Sequence, residues 1–309
     1  MLSLESLAQR YRLAQNRWRF ARALPDIFRT PQSSLGHDRF VLLSMVHHRD
    51  VGPYLLAVKS LLAFLSPYRI VVVMDPTITR EDKFALSENI RGIEFLRTQD
   101  CRDPRVPEGG CWERLLAISD LVQHDYTVQL DADTVTLDRL SEVELAIERG
   151  ESFVLGTEDN QQFVSCDQAA DWARGQVSAE RHVQIHCEAN LDRLPSQQNK
   201  RYVRGCAGFS GFAPQCFSRE SVRELSATME SLVGRRWNDW GTEQFASNFF
   251  VSNSSKAMVL PHPKYCHPLR ELPGTVFLHF IGYVRFQTGR YAEVTKSVLK
   301  ALSASGTNR

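Results

Sequence analysis

The chain has 309 residues, of which 43% are hydrophobic and 24% are charged, a composition typical of a folded globular protein and not of a disordered or fibrous one. Its 37 lysines and arginines nearly balance its 36 acidic residues, so a protein that coats nucleic acid is not expected. The sequence has no run of roughly 18 to 20 apolar residues, so we expect no membrane-spanning helix.

The first predicted element is a basic amphipathic helix from Leu2 to about Phe28. Its apolar residues recur at steps of three and four positions: Leu4, Leu7, Tyr11, Ala14 and Trp18. Residues 1–36 carry six arginines against two acidic residues, and we treat them as an extension ahead of one domain over 37–309. Such a helix can contact an anionic membrane through residues 1–30, or pack its apolar stripe on the domain; we expect the second arrangement.

Strand and helix patterns alternate from residue 40 onward. Strands are predicted at 40–46, 70–74, 93–96, 126–130 and 275–280, and helices at 54–65, 80–89, 112–122, 218–233 and 291–302. This alternation predicts an α/β fold with a mixed, mostly parallel central sheet flanked by helices. The polar stretch 160–201 is expected to form an insertion or lid and not a second domain.

Polar side chains follow the predicted strands at the ends where parallel sheets bind ligands. His47 and Asp50 follow the first strand, and Asp75 follows the second. All three are therefore candidates for contact with a ligand. Asp50 and Asp75 could equally cap the helices that follow, since Asp is a preferred N-cap residue.

The most informative string is VQLDADTVTL, residues 128–137. A buried strand is followed by Asp131 and Asp133, which flank Ala132 and point to the same side of an extended chain. Two adjacent carboxylates repel each other, and a hard divalent cation relieves this by taking oxygen ligands from both. We therefore predict a site for Mn²⁺ or Mg²⁺.

Two enzyme classes use such a pair of aspartates. In haloacid-dehalogenase-like phosphatases Asp131 would be the nucleophile and Asp133 the acid/base, whereas in nucleotide-sugar glycosyltransferases the pair holds a metal against the donor diphosphate. The phosphatase motif belongs on the first strand of its domain, but here about three strand–helix units precede it. No later acidic motif of the phosphatase kind follows residue 200. The context favours the transferase.

The segments 111–137 and 277–286 carry a family resemblance. CWERLLAISDLVQHDYTVQLDADTVTL and FLHFIGYVRF resemble GT-A glycosyltransferases, especially the glycogenin and lipopolysaccharide-glucosyltransferase type. His279, Gly282 and Arg285 match the family's late H-x-x-G-x-x-K-P-W signature, with Arg in place of Lys and Phe-Gln in place of Pro-Trp. The resemblance implies a GT-A fold, a nucleotide-diphosphate sugar as donor, and Arg114 at the donor's phosphate or sugar. It also places further residues at the donor: Ala132 between the two aspartates, and His47, Asp50 and Asp75 where this fold grips the nucleotide base and ribose.

The late motif also has a physical interpretation of its own. The imidazole of His279 could complete a metal site with the two aspartates, unless it is a core histidine at a strand end. Gly282 would let the backbone approach a phosphate, and Arg285 would neutralise the leaving diphosphate.

Further candidates lie in the segment WNDWGTEQFASNFF, residues 237–250. Glu243 or Asp239 could act as a catalytic base, although the resemblance implies retention of configuration. On the acceptor side we place four residues: Glu158, Asp159, Trp240 and Gln244. Trp237 and Trp240 could stack on a sugar or anchor the next helix. The segment CAGFSGF, residues 206–212, resembles the family's strand beneath the acceptor but lacks its Asn before Gly208.

These observations predict a metal-dependent hexosyltransferase that moves a sugar from a nucleotide-diphosphate donor, expected to be a UDP-sugar, to a saccharide, lipid-linked or protein acceptor. The seven cysteines are odd in number and no two have C-x-x-C spacing. They favour a reducing compartment, so we expect a cytoplasmic protein, peripheral at the inner face of the membrane if the basic helix binds it.

Overall fold

The computed structural model describes residues 4–178, 180–195, 199–282 and 284–306; the predicted helix start at Leu2 lies outside them. Over these residues the helices are α1 (Leu4–Ala23), α2 (Val51–Leu62), α3 (Arg80–Asn89), α4 (Trp112–Leu121), α5 (Ser141–Arg149), α6 (Cys166–Arg174), α7 (Val183–Glu188), α8 (Arg219–Val233), α9 (Thr242–Ser252) and α10 (Arg290–Gly306). The strands are β1 (Asp38–Val46), β2 (Pro67–Met74), β3 (Glu94–Arg97), β4 (Tyr126–Leu130), β5 (Thr134–Thr136), β6 (Ser152–Leu155), β7 (Val164–Ser165), β8 (Arg201–Tyr202), β9 (Cys206–Phe212), β10 (Ala257–Leu260), β11 (Tyr265–Cys266) and β12 (Phe277–His279).

A seven-stranded central sheet has the order β10-β6-β9-β4-β1-β2-β3. Its neighbouring strands run parallel except β9, which is antiparallel to both β4 and β6. Parallel neighbours need crossover connections, and helices α2, α3 and α4 supply them in the first half of the chain. The predicted mixed, mostly parallel sheet flanked by helices is confirmed.

Both faces of this sheet are buried, which explains the continuous apolar runs in the sequence. Along β1, Phe40 and Leu42 enter one hydrophobic core, while Val41 and Leu43 enter a second core on the other face. The same alternation continues along β2. The sheet therefore separates two apolar layers, and polar groups collect at the ends of its strands.

A smaller sheet with the order β11-β12-β5 connects the end of the chain to its middle. β12 pairs antiparallel with β5, and this register sets His279 opposite Thr134. The backbone N–H of Thr136 also donates to the hydroxyl of Ser60 in α2 at 3.1 Å. The turn after β4 is consequently held between the central sheet and a strand about 145 residues later in the chain.

The predicted insertion at 160–201 forms β7, α6, α7 and β8 over its described residues. It packs through buried side chains against the second core, and these include Cys166, Ala170, Val183, Cys187 and Leu191.

Helix α1 packs on the domain through a face that we did not predict. The ring of Phe20 stacks on that of Tyr291 with centroids 3.9 Å apart, and Asn16 Nδ2 donates to the carbonyl of Phe286 at 3.0 Å. Leu7 and Trp18, from the apolar stripe, are exposed. The expectation that this stripe packs on the domain is wrong, because the face that carries Phe20 makes the contact instead. No helix in the described part of the chain is long and apolar enough to cross a bilayer.

A buried lysine joins the segment after α1 to the first half of the sheet. Lys59 in α2 is 1% exposed, and its Nζ donates to Thr30 Oγ1 at 2.7 Å, Asn89 Oδ1 at 2.8 Å and the carbonyl of Pro31 at 2.9 Å. All three ammonium hydrogens therefore find acceptors, although none of the partners of Lys59 among the described residues is a carboxylate.

We expect Lys59→Met to lower the free energy of unfolding by about 2–3 kcal/mol, because three buried acceptors lose their donor. Urea denaturation measures the change. The control Lys300→Met, at an exposed position of α10, should stay within about 0.5 kcal/mol of the wild type. Equal losses in the two variants would contradict a structural role for the Lys59 hydrogen bonds.

Candidate active site

The two aspartates of the D-x-D string lie at the carboxyl end of β4, in the turn that leads to β5. The pairing of β12 with β5 brings His279 to the same place. His279 Nε2 lies 3.2 Å from Asp133 Oδ1 and 3.9 Å from Asp131 Oδ2. One ligand atom from each of the three residues lies within 4.8 Å of the others, and no other group of this kind occurs among the described residues.

These three side chains fit a divalent metal ion by the chemistry of their donor atoms. Two carboxylates and one imidazole are the ligands that Mn²⁺ and related first-row ions accept, and Mg²⁺ prefers the oxygens. The imidazole is buried, whereas the side chains of Asp131 and Asp133 keep 30% and 14% of their surface exposed. The two carboxylates can thus be reached by an ion from solvent.

Two arginines balance the aspartates. Arg114 Nη1 donates to Asp131 Oδ1 at 2.5 Å, and Arg285 Nη2 donates to Asp133 Oδ2. Burial works against ionisation of Asp133, but His279 and Arg285 outweigh it and hold its pKa at about 2. Asp133 is therefore charged at neutral pH and available as a ligand.

The protonation of His279 depends on its neighbours. Burial opposes the charged imidazolium, but Cys206 and Asp133 outweigh this effect and raise the pKa of His279 well above its ordinary value. A metal ligand must be a neutral imidazole, so binding of a cation here would release a proton.

A buried ion pair lies beneath the aspartates. Arg114, from the first turn of α4, also donates through Nη2 to Glu243 Oε2 at 3.1 Å, and both residues are almost fully buried. Burial raises the pKa of Glu243 to about 7, although Arg114 opposes the shift. Arg114 Nε and Glu243 Oε1 lack a hydrogen-bond partner among the described residues.

The ring of His279 lies directly against Gly208 in β9. A Cβ added at Gly208 would sit 2.1 Å from His279 Cε1, closer than two carbons can approach. The carbonyl of Gly208 accepts from the backbone N–H of Asp131 at 2.8 Å. One glycine thus makes room for the imidazole and fixes the backbone of the first aspartate, a role that the sequence did not reveal.

Two further residues were missed at this site. Cys206 Sγ lies 3.3 Å from His279 Nδ1, and Gln184 Oε1 accepts from Gln244 Nε2 at 3.1 Å. Gln244 also accepts from the backbone N–H of Ala207 at 3.3 Å, next to Gly208. Cys206 belongs to a segment that the resemblance did single out, but no spacing pattern identifies it or Gln184 as partners of the site.

The residues predicted for the nucleotide lie at the ends of the neighbouring strands β1 and β2. His47 Nδ1 is 3.1 Å from Asp75 Oδ2, and Asp75 Oδ1 accepts from the backbone N–H of Thr77 at 2.8 Å. Burial opposes ionisation of Asp75, but Thr77 and His47 together lower its pKa. Asp50 stands at the N-cap position of α2 without a side-chain capping bond, and α3 is capped by Thr79, so neither aspartate caps a helix.

The residues predicted for the acceptor side differ in exposure. Trp240 is 73% exposed and meets His182 edge to face, with ring centroids 5.6 Å apart. Trp237 is buried, packs against Trp112 and donates to Ser226, which is an anchoring role.

The acidic candidates on this side are solvent-facing. Glu158 and Asp159 are both exposed, and Asp159 Oδ1 is 2.5 Å from His262 Nδ1. Asp239 pairs with Arg236 at 3.3 Å.

Comparisons with known proteins add to this geometry. No protein-family profile and no curated protein sequence matches the chain. An active-site mutant of LgtC superposes with a TM-score of 0.51 at 12% identity, over 85% of this chain and 96% of LgtC. The glycosyltransferase GlyE of Streptococcus pneumoniae TIGR4 superposes with a TM-score of 0.50 at 15% identity, over 88% of this chain and 64% of GlyE. The chain has the GT-A glycosyltransferase fold.

A second LgtC structure, a galactosyltransferase in complex with donor and acceptor sugar analogues, superposes with a TM-score of 0.48 at 13% identity over 85% of this chain and 96% of LgtC. The superpositions on the LgtC mutant and on GlyE, with TM-scores of 0.51 and 0.50, confirm the GT-A resemblance of the sequence at the level of the fold. Identities this low relate the proteins by fold alone, so the activity of this GT-A chain has to be argued from its own residues.

We expect Gly208→Ala to weaken Mn²⁺ binding at least about tenfold, because the new methyl group displaces the imidazole of His279. Isothermal titration calorimetry without nucleotide measures the affinity. Gly175→Ala, with only an ordinary 3.4 Å contact, is the matched control and should bind as the wild type does. Undiminished affinity in Gly208→Ala would remove His279 from the ligand set.

The pKa of Glu243 predicts a pH effect on stability. The folded protein keeps this proton up to about pH 7, whereas the unfolded chain loses it near pH 4.3, so stability falls as pH rises through this window. Glu243→Gln lacks the effect. Urea unfolding without added metal measures the free energy of unfolding. Between these two pH values the wild type should lose about 3 kcal/mol of it relative to Glu243→Gln. Parallel pH profiles would show that Glu243 is already ionised at low pH.

Proposed function

We propose that the protein is a metal-dependent glycosyltransferase that takes its sugar from a nucleotide-diphosphate donor, with UDP as the nucleotide. The proposal rests on one observation: Asp131, Asp133 and His279 converge within 4.8 Å at the carboxyl end of a central strand. In a GT-A fold this is the edge of the sheet where ligands bind.

In this proposal Asp131, Asp133 and His279 hold Mn²⁺ or Mg²⁺, and the bound ion supplies Lewis-acid stabilisation of the donor diphosphate. The guanidinium of Arg285 forms an ion pair with Asp133 and so lies at the same site. It contributes positive charge for the leaving nucleotide diphosphate. Arg114 orients Asp131 from below, and its contact with the donor's phosphate or sugar stays a prediction.

Gly282 is assigned to the donor phosphates. A Cβ at this position would meet nothing within 4 Å, so packing within the protein does not require a glycine there. Close approach of a ligand to the backbone would explain the residue. For the nucleoside we propose His47, Asp50 and Asp75, which follow two adjacent parallel strands.

The acceptor side is assigned to Trp240, Gln244, Glu158 and Asp159, with the exposed indole of Trp240 as a stacking surface for a sugar ring. The acceptor itself is a saccharide, a lipid-linked molecule or a protein.

Transfer with retention fits the carboxylates at this site. The two candidate bases are both engaged: Glu243 is buried against Arg114, and Asp239 pairs with Arg236. An inverting reaction needs a carboxylate that takes the acceptor proton. With both engaged, we propose that the departing phosphate takes this proton; a catalytic role for Glu243 or Asp239 stays a prediction.

The phosphatase alternative is not favoured. A nucleophilic Asp131 would belong on the first strand of its domain, whereas β1–α2, β2–α3 and β3–α4 all precede β4. Arg114 also donates to Asp131 Oδ1, which lowers its nucleophilicity.

We expect Asp133→Asn to reduce Mn²⁺-dependent turnover of a UDP-sugar at least about 100-fold, because the neutral amide is a weak metal ligand while its size is unchanged. The donor is first found by measuring thermal stabilisation with several sugar nucleotides, each with and without Mn²⁺. Asp138→Asn, an exposed aspartate five positions on, is the matched control and should leave turnover unchanged. Full activity of Asp133→Asn, or Mg²⁺-dependent phosphate release from small phosphoesters instead of transfer, would refute the proposal.

A further inference from the structure

The outer face of α1 is apolar and does not enter either hydrophobic core of the described residues, although Trp18 at its end borders α10 and lies under the guanidinium of Arg22. This outer face consists of Leu7, Tyr11, Ala14 and Trp18, which fall within about 60° of one another at 100° per residue. Leu7 is 49%, Tyr11 70% and Trp18 58% exposed. Phe20, which contacts the domain, points to the opposite side of the helix. Three large apolar side chains in one line are thus presented to solvent.

Arginines flank the outer face on both sides. On the helix circumference Arg10 and Arg17 fall on one side of the stripe, and Arg12 and Arg19 on the other, and all four are exposed. Among the described residues none of the four forms an ion pair with a carboxylate, and the guanidinium of Arg17 lies over the ring of Phe286, 5.4 Å from its centroid. An apolar stripe between two rows of arginine is the pattern of a helix that lies in the surface of an anionic bilayer, with guanidinium groups at the level of the headgroups.

The positive charge of the protein is concentrated on this segment. Residues 1–36 carry six arginines against two acidic residues, whereas the whole chain has a formal charge of only +1. In a symmetric dimer formed through this face, the arginines of one copy would lie against the arginines of the other and repel them. A negatively charged surface complements them instead.

We propose that the outer face of α1 docks the protein on an anionic lipid bilayer. The helix would lie in the plane of the surface with Leu7, Tyr11 and Trp18 inserted between lipids. Its inner face contacts Phe286, which follows Arg285, and Arg285 pairs with Asp133. Docking would hold the candidate active site beside the bilayer. This inference does not depend on the proposed glycosyltransferase activity.

The test is sedimentation of the full chain with vesicles of phosphatidylcholine, alone or with about 30 mol% phosphatidylglycerol. We expect at least about tenfold stronger binding to the anionic vesicles, weakened by about 0.5 M NaCl. The variant Leu7→Ser/Tyr11→Ser/Trp18→Ser should lose binding at least about tenfold.

A charge variant and an apolar control separate the two contributions. Arg12→Gln/Arg19→Gln should bind more weakly than the wild type and depend less on salt. Phe84→Ser removes a ring that is 67% exposed on α3, far from this face in sequence, and should bind as the wild type does. Thermal unfolding of each variant without vesicles checks that the fold is kept.

Equal binding of the wild type to both kinds of vesicle would overturn the proposal, and so would undiminished binding of the triple serine variant. The proposal would also fail if the wild type did not bind vesicles but formed a dimer that the triple serine variant could not form. Binding of Mn²⁺ and UDP without vesicles is measured in parallel. If neither the wild type nor any variant binds Mn²⁺ and UDP, the glycosyltransferase proposal is contradicted, whereas the result on vesicle binding is unaffected.

Discussion

The structure depends on how charge is balanced at the end of β4. Asp131 and Asp133 are adjacent carboxylates in a partly buried turn, an arrangement that is costly unless opposite charges or a cation compensate it. Arg114, Arg285 and His279 supply the opposite charge from two other parts of the chain. Arg114 belongs to α4, which directly precedes β4, whereas His279 ends β12 and Arg285 lies in the turn after it. The pairing of β12 with β5 brings the second group to this strand end.

Local sequence predicted the parts of this arrangement that have a local cause. An apolar run followed by Asp131 and Asp133 predicts a buried strand with two carboxylates at its end, and His279 follows an apolar run of the same kind. The approach of His279 to the aspartates follows from the β5–β12 register, which joins residues 145 positions apart and leaves no trace in either segment alone. The family resemblance supplied that link.

Other features could not be predicted because they depend on what lies opposite a residue. Gly208 is required by the ring of His279 from another strand, and Cys206 and Gln184 acquire their roles only through contacts across the fold. The helical period of α1 revealed a stripe of apolar side chains but not what it faces. The contacts of Phe20 with Tyr291 and Phe286 accompany the observed orientation of the helix, and a lone residue produces no periodic signal.

The packing of the described residues within 160–201 bears on the prediction that this segment is an insertion or lid. Val183, Cys187 and Leu191 are embedded in a hydrophobic core, and Gln184 is hydrogen-bonded to Gln244 beside the strand that carries Gly208. Moving this segment away from the core would expose those side chains to water, at a free-energy cost of roughly 1.5–3 kcal/mol for each large apolar side chain. The buried contacts therefore favour the position in which this segment packs against the second core. In the proposed glycosyltransferase, an acceptor beside Gln244 would meet a surface that is formed before it binds.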